Sequence, residues 1–500
     1  MTKTLSSSSA RQPRPVHGAR PSHSGHPRAD RVRGALRRGS DFRRWRSRVG
    51  DALEALAVIS IVAVVIQFLV GGGSHDLVRG DAGTILVAVG RLTGLVAMDL
   101  LLIQLLLSAR VPWIDRVYGM DRALKAHRVL GRITVPLVLV HVGAIVLGYA
   151  VRDRLGPITG PVIETFRLVT GGDDLLFATV ATVLLVAIAV TSVSIARRRL
   201  SYEWWHVVHL TAYAAVILSV PHQLSMGSDF TASPWATMYW YFLYVLVAAS
   251  VLWWRFVLPV ARSVRHDVRV SRVVEEGPGV WSVWMRGRDL DALQARAGQY
   301  FTWRFLTPRL MLTGHPWSLS SAPDGRGLRI TVRDLGDHSR LLSGLRPGTR
   351  VLFEGPYGAF TTHARTRRRV LLLAAGIGIT PVRALLEELI RERHAVPGEI
   401  TVVYRVNDES EATLRGELER LVAAGGHELL LLSGPPVQGS WLPPDSRSVS
   451  DVTRLQELVP HLSAHEAYLC GPGPWMDLVR PTLLEGGIPA SHIHDERFNW

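Results

Sequence analysis

Cysteine is almost missing from this chain: its 500 residues contain one, Cys470. That excludes an intrachain disulfide, a four-cysteine iron–sulfur cluster and a cysteine-rich zinc site. Any redox centre must therefore be held by other side chains. Acidic residues are scarce at the start, where the first fifty residues carry 13 Lys/Arg against 2 Asp/Glu. No helix-turn-helix or zinc-finger pattern accompanies this surplus, so a nucleic-acid partner is not expected. It lies directly before an apolar run, where basic residues orient a membrane helix and attract anionic lipid. Large apolar residues are also sparse in this stretch, which is rich in Ser, Pro, Arg, His and Gly. Residues 1–50 are accordingly expected to be disordered. A cleavable leader is not expected, because the apolar run after them is long and further runs follow.

Charge then becomes rare between 52 and 258, whereas 262–500 has the Arg, Glu, Asp, Gly and Pro content of a soluble protein. Six segments, roughly 53–72, 83–108, 129–151, 174–196, 204–225 and 236–258, are long enough to cross ~30 Å of hydrocarbon at ~1.5 Å per residue. The second holds Arg91 and Asp99, and intramembrane charges usually face a bundle interior or a polar ligand. Arg110, Arg116, Arg122, Lys125 and Arg128 lie between spans two and three. Arg197, Arg198 and Arg199 lie between four and five, and Arg255, Arg262 and Arg265 follow six. The alternate loops are poorer in basic residues. This asymmetry predicts a multi-pass plasma-membrane protein with both termini cytoplasmic.

Four histidines fall at matched depths: His127 and His209 toward the inner face, His141 and His222 toward the outer. Neutral imidazole is a good ligand for haem iron, so two such pairs can hold two b-type haems. The 14-residue spacing in span three corresponds to ~21 Å on nearly one helix face. The 13-residue spacing in span five leaves the rings ~140° apart on an ideal helix. Pro221 offers the kink that this requires. His206 competes with His209 as the inner ligand, and the plainer alternative is that all are satisfied bundle histidines.

From about 266 the pattern alternates as in short strands, HDVRVSRVVEE, VWSVWMRG, GQYFTWRF, LRITVRDL and RVLFEG, which predicts a β-barrel. From about 369 strands alternate with helices. RVLLLAAG leads into TPVRALLEELIRER, then EITVVYR, ATLRGELERLVAAG and HELLLLSG follow, which predicts an α/β domain. Three motifs stand in the barrel region: His315-Pro316-Trp317-Ser318-Leu319-Ser320-Ser321, Gly336-Asp337-His338-Ser339 and Gly355-Pro356-Tyr357-Gly358. In the α/β region, Gly376-Ile377-Gly378-Ile379-Thr380-Pro381 joins a buried strand to a helix. There, backbone N–H groups and the helix dipole suit a phosphate. It is GxGxTP rather than GxGxxG, so the acidic-residue rule for the ribose does not transfer.

Over about residues 85–500 these motifs and spans resemble the ferredoxin-reductase superfamily joined to a ferric-reductase/NADPH-oxidase membrane domain. The resemblance implies that His315, Pro316, Trp317, Ser318, Ser321, Arg333, Ser339 and Gly355 line an FAD site. Trp317 would flank the flavin, Ser318 would lie near its reactive nitrogen, and His315 would stand where a phosphate-binding Arg or His is usual. It implies that Gly376, Gly378, Thr380 and Pro381 hold the dinucleotide pyrophosphate, and that Cys470, with Gly471 and Pro472, lies beside the nicotinamide. It also implies a near-terminal aromatic over the flavin, Phe498 or else Trp500. Arg405, after EITVVY, can pair with a 2′-phosphate and so favour NADPH over NADH.

The expected architecture is a disordered basic segment at 1–50, a six-helix transmembrane haem-binding bundle at 51–260, an FAD-binding β-barrel at 262–366 and an NAD(P)-binding α/β domain at 367–500. The expected activity is electron transfer from cytoplasmic NADPH or NADH, through FAD and two haems, to an extracytoplasmic acceptor, O2 or ferric iron, in contact with membrane lipid. The alternative is a six-span transporter or sensor with a regulatory nucleotide domain.

Overall fold

The structure, a computed structural model, describes residues 27–193, 202–311, 313–444 and 449–497. Its first half is helical: α1 (Pro27–Phe68), α2 (Ser74–Arg79), α3 (Ala82–Ser108), α4 (Pro112–Tyr118), α5 (Met120–Arg152), α6 (Thr159–Thr170), α7 (Asp173–Ser192) and α8 (Tyr202–Ser225). It closes with α9 (Pro234–Val251), which runs on through residues 252–257 into α10 (Leu258–His266). Starts are marked where the sequence supplies caps. The Asp81 carboxylate accepts from Thr84 N–H at 2.8 Å, and the Ser233 hydroxyl accepts from Ala236 N–H at 3.1 Å. Among the described residues six helical stretches are long and apolar enough to cross a bilayer, as expected. Arg197, Arg198 and Arg199 lie outside the described residues.

In lipid no hydrophobic effect drives helix against helix, so close packing through small residues does the work. The pairing of α3 with α5 shows this. A Cβ on Gly148 would lie 2.9 Å from Val87 N, one on Gly90 2.8 Å from the Ile145 side chain, and one on Gly94 2.5 Å from His141 Nδ1. Arg91 and Gln104 in the bundle find partners within it. Arg91 grips Asp229 through Nε and Nη2 at 2.8 and 2.7 Å and reaches Asp76 at 3.0 Å. Gln104 donates to Thr134 at 2.7 Å.

Two segments differ from the sequence reading. Disorder over 1–50 does not hold from Pro27 onward, because α1 begins there and reaches the first span without a break. The segment lacks a core of its own but has partners: Val32, Gly39 and Gly50 are buried. The loop at 151–173 contains α6, secured by Arg167, which bonds Glu164 at 2.6 Å and Asp153 at 2.8 Å.

The second half begins with two three-stranded antiparallel sheets. One has the order β1 (Arg269–Gly277), β2 (Val280–Arg286), β5 (Gly327–Arg333). The other has β4 (His315–Ser318), β3 (Tyr300–Phe305), β6 (Val351–Tyr357). Phe301, Trp303, Phe305, Phe353, Leu319 and Ile330 fill the space between them. A five-stranded parallel sheet follows, in the order β11 (Ile493–Arg497), β10 (His465–Gly471), β7 (Arg369–Ala375), β8 (Ile400–Val406), β9 (Glu428–Ser433). Its helices are α11 (Ile379–Arg391), α12 (Arg415–Gly425), α13 (Asp451–Leu458) and α14 (Gly473–Glu485). Both faces are covered, which is why β7 reads as an almost unbroken apolar run after Arg369. The order reverses at β7, and in open α/β sheets ligands bind at the carboxyl ends of strands at such a switch.

The glycine seam has a measurable consequence. Gly148→Leu is expected to lower thermal stability in detergent, since overpacking of this kind costs about 1–3 kcal/mol. Gly143→Leu, on the same helix with no atom within 4 Å of its Cβ, is expected to leave the melting temperature unchanged.

Candidate functional site

At the switch point β7 passes into Gly376, whose φ of +54° is easily reached only by glycine. Two residues on, Gly378 lies against strand β10: a Cβ there would stand 2.3 Å from the Cys470 carbonyl oxygen. The Thr380 hydroxyl donates to Ile377 C=O at 3.0 Å, and Tyr404 closes the turn by donating to Gly376 C=O at 3.3 Å. The turn opens the 13-residue helix α11, so its free N–H groups and the helix dipole face the same end of the sheet. Gly376, Gly378, Thr380, Pro381, Cys470, Gly471 and Pro472 are thus gathered at one place.

Cys470 is wholly buried there. Burial pushes its thiol well above the usual range, and Glu496, its register partner on β11, adds to the rise. It is a neutral thiol that packs, not a thiolate nucleophile. Phe498 and Trp500 lie outside the described residues.

The barrel motif forms β4, paired to β3 with Ser318 opposite Tyr300 and Trp317 opposite Phe301. Trp303 Nε1–H donates to Trp317 C=O at 3.0 Å, fixing the strand. Alternation along β4 puts His315 and Trp317 on one face, their rings stacked with centroids 5.4 Å apart. His338, from the Gly336–Ser339 motif, lies 4.5 Å from the His315 ring, and Thr313 contacts both histidines. The Ser339 hydroxyl accepts from Leu335 N–H and so shapes that motif's turn. Gly355, at φ +137°, passes so close to Phe301 that a Cβ would lie 2.7 Å from its ring. Ser318 is buried and Ser321 partly exposed. Arg333 ends β5 with its guanidinium 3.8 Å from Glu411.

Arg405 is a correction. Its guanidinium is buried and donates to the carbonyls of Trp441 at 3.2 Å, Pro435 at 3.0 Å and Val406. The side chain anchors the 435–441 loop and is not presented to a 2′-phosphate. No preference for NADPH therefore rests on it.

The sequence reading missed a charged seam that fixes the two motif groups to each other. Arg383, on the helix opened by the glycine turn, donates to Ser320 C=O at 3.1 Å, to Glu387 at 2.5 Å and to Glu417 at 2.8 Å. Arg329, on β5 and only 1% exposed, donates to Glu417 at 2.8 and 3.0 Å, to Glu276 at 2.7 Å and to Ser282 at 3.0 Å. Ala322 N–H donates to Glu387 at 2.6 Å. The Ser318–Ser321 segment is thereby tied to the pyrophosphate-loop helix. The one sequence signal was Arg383 four residues before Glu387, a spacing that reads equally as an exposed helix pair.

In the bundle, α5 and α8 bring the rings of His127 and His209 to 5.9 Å, 67° apart in plane. Trp205 stacks on His209 at 5.0 Å. His127 Nδ1 bonds Gln104 C=O at 3.3 Å, and His141 Nδ1 bonds Gly90 C=O at 2.7 Å. Those bonds fix the tautomer that leaves Nε2 carrying the lone pair, as a metal-ligating imidazole needs. Nδ1 of His209 is buried without a hydrogen-bond partner. His222 lies within electrostatic reach of His141. Pro221 stands inside helix α8 beside His222. The donor type of the four histidines, the tautomer fixed in His127 and His141 and the 5.9 Å pairing of His127 with His209 fit haem iron.

A helical membrane bundle carrying an antiparallel barrel and a parallel sheet with a glycine turn at its switch point defines a membrane-bound member of the dinucleotide-dependent flavoprotein class. Two family models match the chain: "Ferric reductase like transmembrane component" at residues 93–220 and "Oxidoreductase NAD-binding domain" at residues 372–480. The chain is 30% identical over 193 residues to "Ferredoxin--NADP reductase B" of Sorangium cellulosum, covering 37% of this chain and 77% of that one. It is 30% identical over 242 residues to "3-ketosteroid-9-alpha-monooxygenase, ferredoxin reductase component" of Mycolicibacterium smegmatis, covering 46% of this chain and 65% of the relative's length. Among solved structures, the FAD/NAD-binding domain of a nitric oxide dioxygenase from Vibrio cholerae is similar at 25% identity and a TM-score of 0.38, covering 47% of this chain and 99% of that one. The chain belongs to the ferredoxin–NADP reductase family, with a ferric-reductase-like transmembrane component ahead of the reductase module. Its helical half is long and apolar enough to cross a membrane, and its second half is a module of the oxidoreductase type.

The seam can be tested through pH. Burial alone would raise the Glu417 carboxyl, but hydrogen bonds and charge from Arg329 and Arg383 hold it below the usual carboxylate range. A depressed carboxyl contributes stability above its unfolded value of ~4.3 and loses it as pH falls through the folded value. Glu417→Gln is expected to cost about 1–3 kcal/mol at pH 7, and to flatten the loss of stability below about pH 4.3. Denaturant unfolding of both proteins between pH 3 and 7 reads this, and parallel curves would exclude it.

Proposed function

We propose that this chain carries electrons from cytoplasmic NAD(P)H across the plasma membrane to an acceptor outside, dioxygen or ferric iron. The carrying observation is the pairing of His127 with His209, from two membrane helices, at 5.9 Å in a chain that also holds a GxGxTP turn at a sheet switch point. When bound, FAD supplies the conversion of a two-electron hydride donor into single-electron transfer, and haem iron supplies one-electron carriers within the bilayer.

The chain's own residues do the positioning. Gly376, Gly378 and Thr380 receive the dinucleotide pyrophosphate on the free N–H groups of α11. The neutral thiol of Cys470 and the narrow Gly471 set the depth of the nicotinamide. Trp317 forms the wall of the flavin pocket, Ser318 offers a hydroxyl at its reactive edge, and His315, His338 and Ser339 offer donors to its phosphates. Arg333 and Gly355 complete that pocket, and Phe498 or Trp500 covers the ring. His127 and His209 hold the inner haem, and His141 and His222 the outer one. The carbonyls of Gln104 and Gly90 orient two of these rings. The basic loops after spans two and six support a cytoplasmic module.

Purified protein is expected to show a b-type reduced-minus-oxidised spectrum and acceptor-dependent NAD(P)H oxidation. His141→Leu is expected to lose about half the haem, one of two sites, and to abolish transfer to the outer acceptor while dye reduction by the flavin continues. A His141→Leu protein with full haem content would overturn the ligand assignment. Wild-type protein purified with FAD but without haem would favour the transporter or sensor reading instead.

A further inference from the structure

Glycine, phenylalanine and arginine at positions 39, 42 and 43 fall at i, i+3 and i+4 on α1, and so share one helix face. That face does not meet lipid; it meets the segment 361–368 that joins β6 of the barrel to β7 of the nucleotide sheet. At Gly39 the helix backbone lies directly on the joining segment, since a Cβ there would stand 1.8 Å from the Arg365 carbonyl oxygen. The Phe42 ring packs on His363 with centroids 4.4 Å apart. Arg43 Nε–H donates to Ala364 C=O at 2.6 Å, and its Nη2 pairs with the Glu466 carboxylate.

Glu466 is wholly buried near the start of β10, the strand that carries Cys470 near its end. Its second oxygen accepts from Thr366 N–H at 2.9 Å and Arg367 N–H at 3.1 Å, and His494 bonds the first at 2.7 Å. Arg43 therefore completes a knot of the joining segment, β10 and β11. One turn further along α1, Arg46 donates to Val117 C=O at 2.5 Å. The α4 region in turn holds the barrel: Arg110 reaches Glu354 at 2.5 Å, and Gly358 N–H donates to Asp115 at 3.1 Å.

We propose that the cytoplasmic arm of α1 is a strut that sets the reductase module against the membrane bundle, with Gly39, Phe42 and Arg43 as positioning residues for electron passage from flavin to inner haem. The inference rests on the proposed function. Without the strut the module stays tethered through α10 but is free to rock, and a misplacement of ~1 Å can cost ~100-fold in a positioned reaction.

The test uses full-length protein loaded with FAD and haem, as Arg43→Met, as Arg43→Lys, and as Gly39→Val for an independent wedge. Each NAD(P)H oxidised to NAD(P)+ releases one proton and two electrons, which reduce two ferric haems of the chain or two equivalents of a one-electron dye. In Arg43→Met and Gly39→Val, NAD(P)H-to-dye rates are expected within about twofold of wild type and haem content unchanged, while stopped-flow haem reduction slows about tenfold or more. Arg43→Lys is expected to recover part of the loss. A readout independent of turnover accompanies these rates: hydrogen exchange at the Thr366 and Arg367 amides is expected to rise in Arg43→Met. Haem reduction at the wild-type rate in both variants overturns the strut, as does an equal fall in dye and haem rates. Wild-type protein whose haem NAD(P)H does not reduce overturns the proposed function, and the strut with it.

Discussion

Lipid offers no hydrogen bonds, so the polar atoms inside the bundle can look only to the chain itself for partners. Helical spans are the first consequence. The second is that a histidine useful to a metal is oriented when its other nitrogen finds a partner on a neighbouring backbone. The carbonyls of Gln104 and Gly90, both on α3, meet that need for His127 and His141 on α5. Such bonds form only if the two helices approach closely, and the glycines at 90, 94 and 148 allow it. One requirement thus connects a run of glycines to the tautomers of two imidazoles.

Outside the bilayer the same problem is solved with charge. The barrel and the parallel sheet each have a core of their own, and apolar contact alone would let them slide on one another. Arg383 and Arg329 converge on Glu417 between them, and the geometry of two guanidiniums on one carboxylate admits little slip. Because Arg383 also grips Ser320 C=O, the strand carrying Ser318 is placed relative to the glycine turn by hydrogen bonds of fixed length.

Much of this was legible in the sequence, and the reasons differ by region. The six spans follow from uncharged length, and the barrel and sheet strands from alternation and from unbroken apolar runs. The glycine turn followed from a strand–turn–helix order that physics restricts, whereas the place of Cys470 beside it was implied by the family resemblance. Arg405 misled because a strand-end arginine looks the same whether it faces a ligand or its own loop, and the carbonyls of Pro435 and Trp441 lie thirty residues and more away. The segment 27–50 misled because composition reports whether a stretch can build its own core, not whether another domain will supply one. The Arg383–Glu417 seam was invisible for the same reason: long-range charge pairs have no periodicity.

The ion pair of Arg43 with Glu466 spans 423 residues of sequence. At synthesis rates of ~5–20 residues per second, the arginine leaves the ribosome roughly 20–85 s before its partner exists. During that interval the first helix can enter the bilayer and Arg46 can reach Val117, but Arg43 has no carboxylate to bind. The buried carboxylate joins last, when β10 and β11 complete the sheet. Closure of this contact therefore reports that the sheet has been completed through β11, and a product cut short before β10 would keep Arg43 unpaired.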